Sequence, residues 1–144
     1  MGREDDARWR ERHRHAVRAH AQADARERAA EQSQAAELVA RFAAEALRRG
    51  LRPDRLTATG HDGRGRYRTR LTGWYVDRAG SRAVDTKGRF YLLTVPPSLR
   101  SRLLGADPPP SAPSLVVGRG GRDGESVPLA TLLSRRLEAG DDWR

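Results

Sequence analysis

Strict alternation of polar and apolar residues marks one segment near the centre of the chain. Residues 66–71 read RYRTRL, so three arginines fall on one side and a tyrosine, a threonine and a leucine on the other. Side chains of a strand point alternately to opposite faces of its sheet. The segment therefore predicts a half-buried strand that exposes a row of guanidinium groups.

The segments around this strand predict further strands. Residues 83–85 form a short candidate strand, whereas residues 89–95 are almost continuously apolar, as in a buried strand. We therefore expect 89–95 to lie centrally in the sheet and 56–59 to pair at its edge. Gly73 is expected to mark a bulge or a close approach of two backbones. The overall prediction is an antiparallel β-meander of three to five strands.

A helical periodicity covers the N-terminal third of the chain. Residues 4–49 contain neither proline nor glycine, and Gly50 gives the predicted helix a clear end. Apolar residues recur at helical spacing from Ala35 to Ala46, so we expect that half of the helix to pack on the sheet. Residues 1–34 have few large apolar side chains. They are predicted to form a charged, solvent-exposed helical extension or to be disordered.

Two short helices are predicted in the C-terminal half. Residues 98–104 and 129–139 both carry leucines at helical spacing. Together with the meander and the long N-terminal helix, these elements predict an α+β fold. We assign residues 35–140 to a single small α+β domain and residues 141–144 to a tail.

The composition limits the classes of function. A chain of 144 residues suits one domain, and because it has no cysteine, it has neither a disulfide framework nor a thiolate metal site. No apolar run approaches the roughly 20 residues that a membrane-spanning helix needs. The N-terminus matches neither a secretory signal nor a myristoylation motif. We therefore expect a cytoplasmic protein without a membrane partner.

The net charge of +9 is unevenly distributed along the chain. Residues 51–106 hold 12 Arg or Lys and 4 acids, whereas residues 1–50 hold 11 Arg and 9 acids. Positive charge concentrated in the sheet region favours a polyanionic partner. A second interpretation stays open, because the chain has one lysine against 27 arginines. High-GC bacterial genomes replace lysine by arginine in this way without any functional cause.

The predicted row of arginines is the strongest candidate for a binding site. We predict a polyanion-binding surface made of six residues, which are Arg64, Arg66, Arg68, Arg70, Lys87 and Arg89. Single-stranded nucleic acids are bound by basic grooves with aromatic rings, and aromatic residues occur in the same segments. Tyr67 is expected to face the core. The first hypothesis is a small, basic, non-enzymatic binding module that contacts nucleic acid or an acidic protein surface.

The long N-terminal helix supports a second hypothesis. Its first half has little to bury within the chain, so it is available to another protein. The protein would then be an adaptor that engages a partner through this helix, or a homo-oligomer. A long coiled coil is not expected, because the helix carries no sustained heptad pattern.

No motif in the chain predicts an enzyme. The glycine-rich segment 118–124 lies between a predicted strand and a predicted helix, but its spacing fits neither a dinucleotide fingerprint nor a P-loop. His61 and Asp62 are neighbours without a nucleophile that can be placed beside them. The three histidines of the first helix lack the i,i+4 spacing of helical zinc sites. We therefore predict no catalytic residue, no metal site and no cofactor.

Overall fold

A computed structural model describes residues 2–118 and 126–143. Helix α1 runs over 46 residues, Arg3–Arg48. Residues 2–34 are exposed throughout, whereas the second half buries one face, including Val39 and Phe42. This division follows the apolar stripe that the sequence showed. No helix in the described parts of the chain has both the length and the hydropathy that crossing a membrane needs.

Five strands form the main sheet, in the order β4-β3-β2-β1-β5. Their bounds are Asp54–Gly60 for β1, Arg66–Tyr75 for β2, Arg82–Asp85 for β3, Phe90–Leu92 for β4 and Thr94–Val95 for β5. The first four strands pair in sequence order and antiparallel, whereas β5 pairs parallel with β1. The antiparallel meander and the α+β fold are thereby confirmed.

The sheet closes on itself at Leu93. This residue separates β4, at one edge of the sheet, from β5, at the other edge. Its N–H donates to the carbonyl of Ser81 on the β3 side, and its carbonyl accepts from the N–H of Thr59 in β1. The prediction that 89–95 forms one central strand is therefore wrong. The run is apolar because its side chains enter both hydrophobic clusters, Tyr91 and Leu93 inside the closed sheet and Phe90 outside it.

The interior of the closed sheet is one of two hydrophobic clusters. It contains all three tyrosines of the chain, with Leu56, Ala58, Ala83, Leu93 and Ala106. Tyr75 reaches across this interior, and its hydroxyl accepts a hydrogen bond of 2.9 Å from the N–H of Thr57. The buried phenol is therefore satisfied by backbone, as buried polar groups generally must be.

The second cluster lies outside the sheet, where α1 covers the C-terminal half of β2. Trp74 is fully buried there, packs edge-on against Phe42 and donates its indole N–H to the carbonyl of Leu51. Gly73 lies so close to β3 that a Cβ would overlap the carbonyl oxygen of Val84. Of the two options for Gly73, the structure shows the close backbone approach.

The C-terminal half adds two helices and a small hairpin. Helix α2 spans Leu99–Leu104, β6 spans Val116–Val117, β7 spans Val127–Pro128 and α3 spans Leu129–Ala139. Helix α3 packs beside α1 through Leu129 and Leu133. A 3-10 turn follows at Gly140–Asp142, where a carboxylate oxygen of Asp141 accepts from the N–H of Arg52 at 2.8 Å. Residues 119–124 of the glycine-rich segment lie outside the described residues.

Candidate anion-binding cleft

The alternation predicted for residues 66–71 is confirmed in β2. Arg66, Arg68 and Arg70 are exposed, while Tyr67 and Thr69 are buried. The arginines share the outer face of the sheet with Trp74, but α1 covers only the part of that face around the tryptophan. On this outer face, the N-terminal half of β2 therefore exposes its arginines, whereas the C-terminal half packs against α1.

A shift in strand pairing lies in the middle of this row. The register between β1 and β2 changes between Arg55 and Thr57, so β2 accommodates two extra residues around Arg70. The buried hydroxyl of Thr69 stabilises this bulge, because it donates to the carbonyl of Leu56 at 2.5 Å and accepts from the N–H of Leu71 at 3.1 Å. Bulges redirect the side chains around them.

Arginines from three parts of the chain converge on one cleft of about 610 Å³. Its basic residues are Arg55 from β1, Arg68 and Arg70 from β2, and Arg100 from α2. The segment after α2 closes one wall, since the N–H of Ala106 donates to the carbonyl of Arg68 at 2.7 Å. We refer to this site as the arginine cleft.

The four guanidinium groups of the arginine cleft have no acidic partner in the described parts of the chain. None of them takes part in an ion pair. One acid, Asp107, lines the cleft with them. The lining therefore carries four positive charges against one negative charge. Guanidinium groups bind phosphate and carboxylate through paired N–H donors, so the cleft is suited to an anion.

The structure does not bring Lys87 and Arg89 into the arginine cleft. Both lie at the turn between β3 and β4, where a Cβ on the intervening Gly88 would meet Ala40 of α1. The Nε of Arg89 donates to the carboxylate of Asp85 at 2.8 Å. This arginine therefore has a partner within the fold.

The carboxylate of Asp85 is the centre of a buried hydrogen-bond network. It accepts from the N–H of Lys87, from the N–H and Nε of Arg89 and from the hydroxyl of Tyr91. Burial alone would raise the pKa of Asp85, but the hydrogen bonds from Arg89 and Tyr91 outweigh it and lower that pKa. Arg89 thus stabilises the turn through its contact with Asp85.

The other two predicted site residues are not in the lining of the arginine cleft and lie at the hairpin between β1 and β2. Arg66 pairs with Thr59 across the strands and is exposed. Arg64 lies in the turn, where its backbone N–H donates to the side chain of Asp62 at 2.9 Å. Arg66 is therefore the neighbour of Arg68 on the exposed face of β2.

The aromatic residues of the sheet are not available for stacking. Five of them are buried, with 0–7% of their surface exposed, and they are Tyr67, Trp74, Tyr75, Phe90 and Tyr91. The buried position of Tyr67 agrees with the prediction. Trp74 and Phe90 are likewise expected in the core from the sequence, whereas the sequence leaves the face of Tyr75 and Tyr91 undetermined, because that face depends on the bulge.

Sequence reasoning did not single out Arg55 and Arg100. Each lies more than ten residues from the arginine row in the sequence. Only the pairing of β1 with β2 and the return of the chain at Ala106 bring these two arginines to the arginine row.

Comparison with known proteins finds no matching family model, no matching curated protein and no matching solved structure.

Proposed function

We propose that the protein binds the phosphate backbone of nucleic acid in the arginine cleft, without catalysing a reaction. The observation that supports this most is the convergence of four arginines that have no ion pair in the described parts of the chain. Leaving four like charges together costs free energy unless an anion compensates them. A phosphate polymer supplies several anions at once. The cytoplasmic location expected from the sequence would suit a protein that binds nucleic acid.

Phosphates are the proposed contact because stacking surfaces are missing around the cleft. Proteins that hold single strands commonly stack bases on exposed aromatic rings. The aromatic rings of the sheet are buried, so the arginine cleft offers charge and hydrogen-bond donors instead. Such contacts fix a duplex in position and carry little sequence information. We therefore propose a duplex as the ligand.

The test is fluorescence anisotropy with a labelled 16-base-pair DNA duplex and the matching single strand across a salt series. The cleft variant changes Arg66, Arg68 and Arg70 to serine. Its matched control changes Arg10, Arg14 and Arg18 to serine, which removes the same charge from the exposed half of α1. We expect the slope of log Kobs against log salt to be shallower by about two to three in the cleft variant.

The two variants separate the proposal from its alternatives. The α1 control should keep a slope within about one of the wild type, because its arginines would make no specific phosphate contact. Equal losses in both variants would mean that only the net charge matters. Absence of binding at physiological salt would leave the arginines as a solvated surface and overturn the proposed function.

A second candidate function uses the exposed half of α1 as a binding surface for another protein. Trp9 is 61% exposed there and stacks on His13 with ring centroids 5.1 Å apart. Exposed tryptophans are over-represented among the residues that dominate protein interfaces. Self-association measured by light scattering, in the wild type and in Trp9→Ser, tests the homo-oligomer form of this candidate. A monomer at every concentration would contradict it.

A further inference from the structure

Helix α2 exposes leucines beside the arginine cleft. Leu99, Leu103 and Leu104 are 76%, 85% and 75% exposed, and no residue of α2 is buried. A single exposed leucine is common on protein surfaces, but neighbouring ones mark a contact site more often. The exposed leucines of α2 therefore indicate a surface that another molecule contacts.

The two ends of α2 hold it in place while its leucines stay exposed. At the start, the hydroxyl of Ser98 accepts from the N–H of Ser101 at 3.0 Å. At the end, Gly105 adopts a φ of +85°, and a Cβ there would come within 2.7 Å of the carbonyl oxygen of Arg68. The next residue, Ala106, is buried in the sheet interior. The fold thus fixes the helix against β2 without using its apolar side chains.

Arginines lie on both sides of the leucines. Leu99 and Leu103 are four residues apart and share one face of the helix. At 100° per residue, Arg100 and Arg102 fall on opposite flanks of that face. Arg100 and Leu104 also line the arginine cleft. We call Leu99 and Leu103 the leucine ridge.

The chemistry of the leucine ridge limits what can cover it. The occupant must present apolar surface between negative charges, because guanidinium groups flank the ridge. A second copy of this helix would bring its own arginines against these, which disfavours self-association through α2. A lipid surface meets a projecting ridge but does not enter a recessed cleft. A nucleic-acid duplex has base pairs with apolar faces between two phosphate strands, and it can engage both features.

We propose that the leucine ridge enters the minor groove of a duplex and wedges between base pairs, while the arginines on either side hold the two phosphate strands. This inference rests on the proposed function and specifies its ligand. Apolar side chains act as such wedges in proteins that bend DNA through the minor groove. The wedge gives this protein a contact to bases that its buried aromatic residues do not supply. Flexible steps such as TA unstack most easily, so we expect tighter binding to duplexes that contain them.

The experiment uses 16-base-pair duplexes with 2-aminopurine beside a central TA step, because the fluorescence of this base rises when it is unstacked. The full-length wild type is compared with the ridge variant Leu99→Ser/Leu103→Ser and with the cleft variant Arg66→Ser/Arg68→Ser/Arg70→Ser. We expect the wild type to raise the fluorescence. The ridge variant should raise Kd about tenfold or more without changing the salt slope, since it loses apolar contact and no phosphate contact.

The outcomes separate this inference from the proposed function. If the wild type binds the duplex, but the fluorescence stays constant and the ridge variant binds equally well, the wedge is wrong and the proposed function stands. If the wild type binds no duplex, the proposed function fails and the wedge with it. If the wild type instead floats with phosphatidylglycerol vesicles and the ridge variant does not, the ridge is a lipid contact, which also overturns the wedge.

Substitution of the ridge should leave the fold intact, because both leucines are exposed. A thermal melt of the ridge variant within about 2 °C of the wild type confirms that any change in binding is local. As a sequence control, a duplex with a central A-tract in place of the TA step should bind the wild type several-fold more weakly. Equal affinity for both duplexes would contradict insertion.

Discussion

Two groups of arginines in this domain differ in whether the folded chain gives them an acceptor. Arg82 and Arg89 each reach a carboxylate in their own hairpin, and Arg136 reaches backbone carbonyls. Those of the arginine cleft reach none in the described parts of the chain. Arginine content alone therefore says little about ligand binding. The useful quantity is the positive charge that remains after the fold has paired its own groups.

The largest effect on stability is expected at Arg136, which is 4% exposed. Its Nε donates to the carbonyl of Tyr75 at 2.8 Å, and its guanidinium lies 4.6 Å from the centre of the Trp143 ring. Arg136→Met should lower the free energy of unfolding by about 3 kcal/mol, since two hydrogen bonds from a charged donor to backbone carbonyls are lost. Urea denaturation measures this.

The neighbouring arginine provides the control for that substitution. Arg135 is exposed, so Arg135→Met should change the free energy of unfolding by less than about 0.5 kcal/mol. If both variants lose a similar amount of free energy of unfolding, Arg136 does not stabilise the fold through its hydrogen bonds to backbone carbonyls.

The next largest effect is expected at Asp85, which is the acceptor for Arg89. Asp85→Asn should lower the free energy of unfolding by about 2 kcal/mol at pH 7, because the carboxylate accepts hydrogen bonds from the guanidinium of Arg89 and the hydroxyl of Tyr91. The lowered pKa of Asp85 sets the sign of the pH dependence. Its stabilisation is complete above its ordinary pKa and is lost as the pH falls through the lowered one.

The difference between wild type and Asp85→Asn should therefore shrink below about pH 4. Denaturation at pH 3, 4, 5 and 7 measures it, with Asp24→Asn on the exposed half of α1 as the control for a lost charge. A difference that stays constant down to pH 3 would show that the ionised carboxylate is not what stabilises the turn.

A smaller effect is expected at Arg89 itself. Its side chain is 49% exposed, so solvent weakens the ion pair with Asp85. Arg89→Gln should lower the free energy of unfolding by less than Asp85→Asn does, and it should leave duplex affinity within about twofold of the wild type, because Arg89 lies outside the cleft. A loss of affinity as large as that of the cleft variant would place Arg89 in the binding surface after all.

The smallest effect on stability is expected in the arginine cleft. Arg68→Ser/Arg70→Ser should change the free energy of unfolding by less than about 0.5 kcal/mol, or raise stability slightly, because repulsion among the cleft arginines is relieved. The same variant should lose about tenfold or more in duplex affinity at 0.15 M salt. A stability loss of about 2 kcal/mol would mean that these arginines serve the fold.

The contrast between local and distant pairing explains which features the sequence predicted. The strand at 66–71 and the end of α1 at Gly50 rest on local periodicity and backbone preference, and both are confirmed. The division of 89–95 at Leu93 depends on closure of the sheet, which no local pattern reveals. The sequence did not predict Arg55 and Arg100 for the same reason, because only contacts between distant parts of the chain bring them into the cleft.

The same limit explains why the sequence placed Lys87 and Arg89 in the binding site, although they lie outside the cleft. Lys87 and Arg89 belong to a basic stretch in the sequence. However, Asp85, four residues before Arg89, accepts a hydrogen bond from the Nε of Arg89. The spacing of an acid and a base across a tight turn could have indicated this pairing. Arg68 and Arg70, by contrast, have no acid four residues before or after them, which is the corresponding sign that their charge stays available.

The comparison of the two groups is tested most directly by the NMR signals of the arginine Nε–Hε groups during titration with a 16-base-pair duplex. We predict that the signals of Arg68 and Arg70 shift progressively, while those of Arg89 and Arg136 stay within the linewidth, because their Nε–H groups donate to acceptors within the protein. Equal shifts in both groups, or shifts confined to α1, would contradict the account.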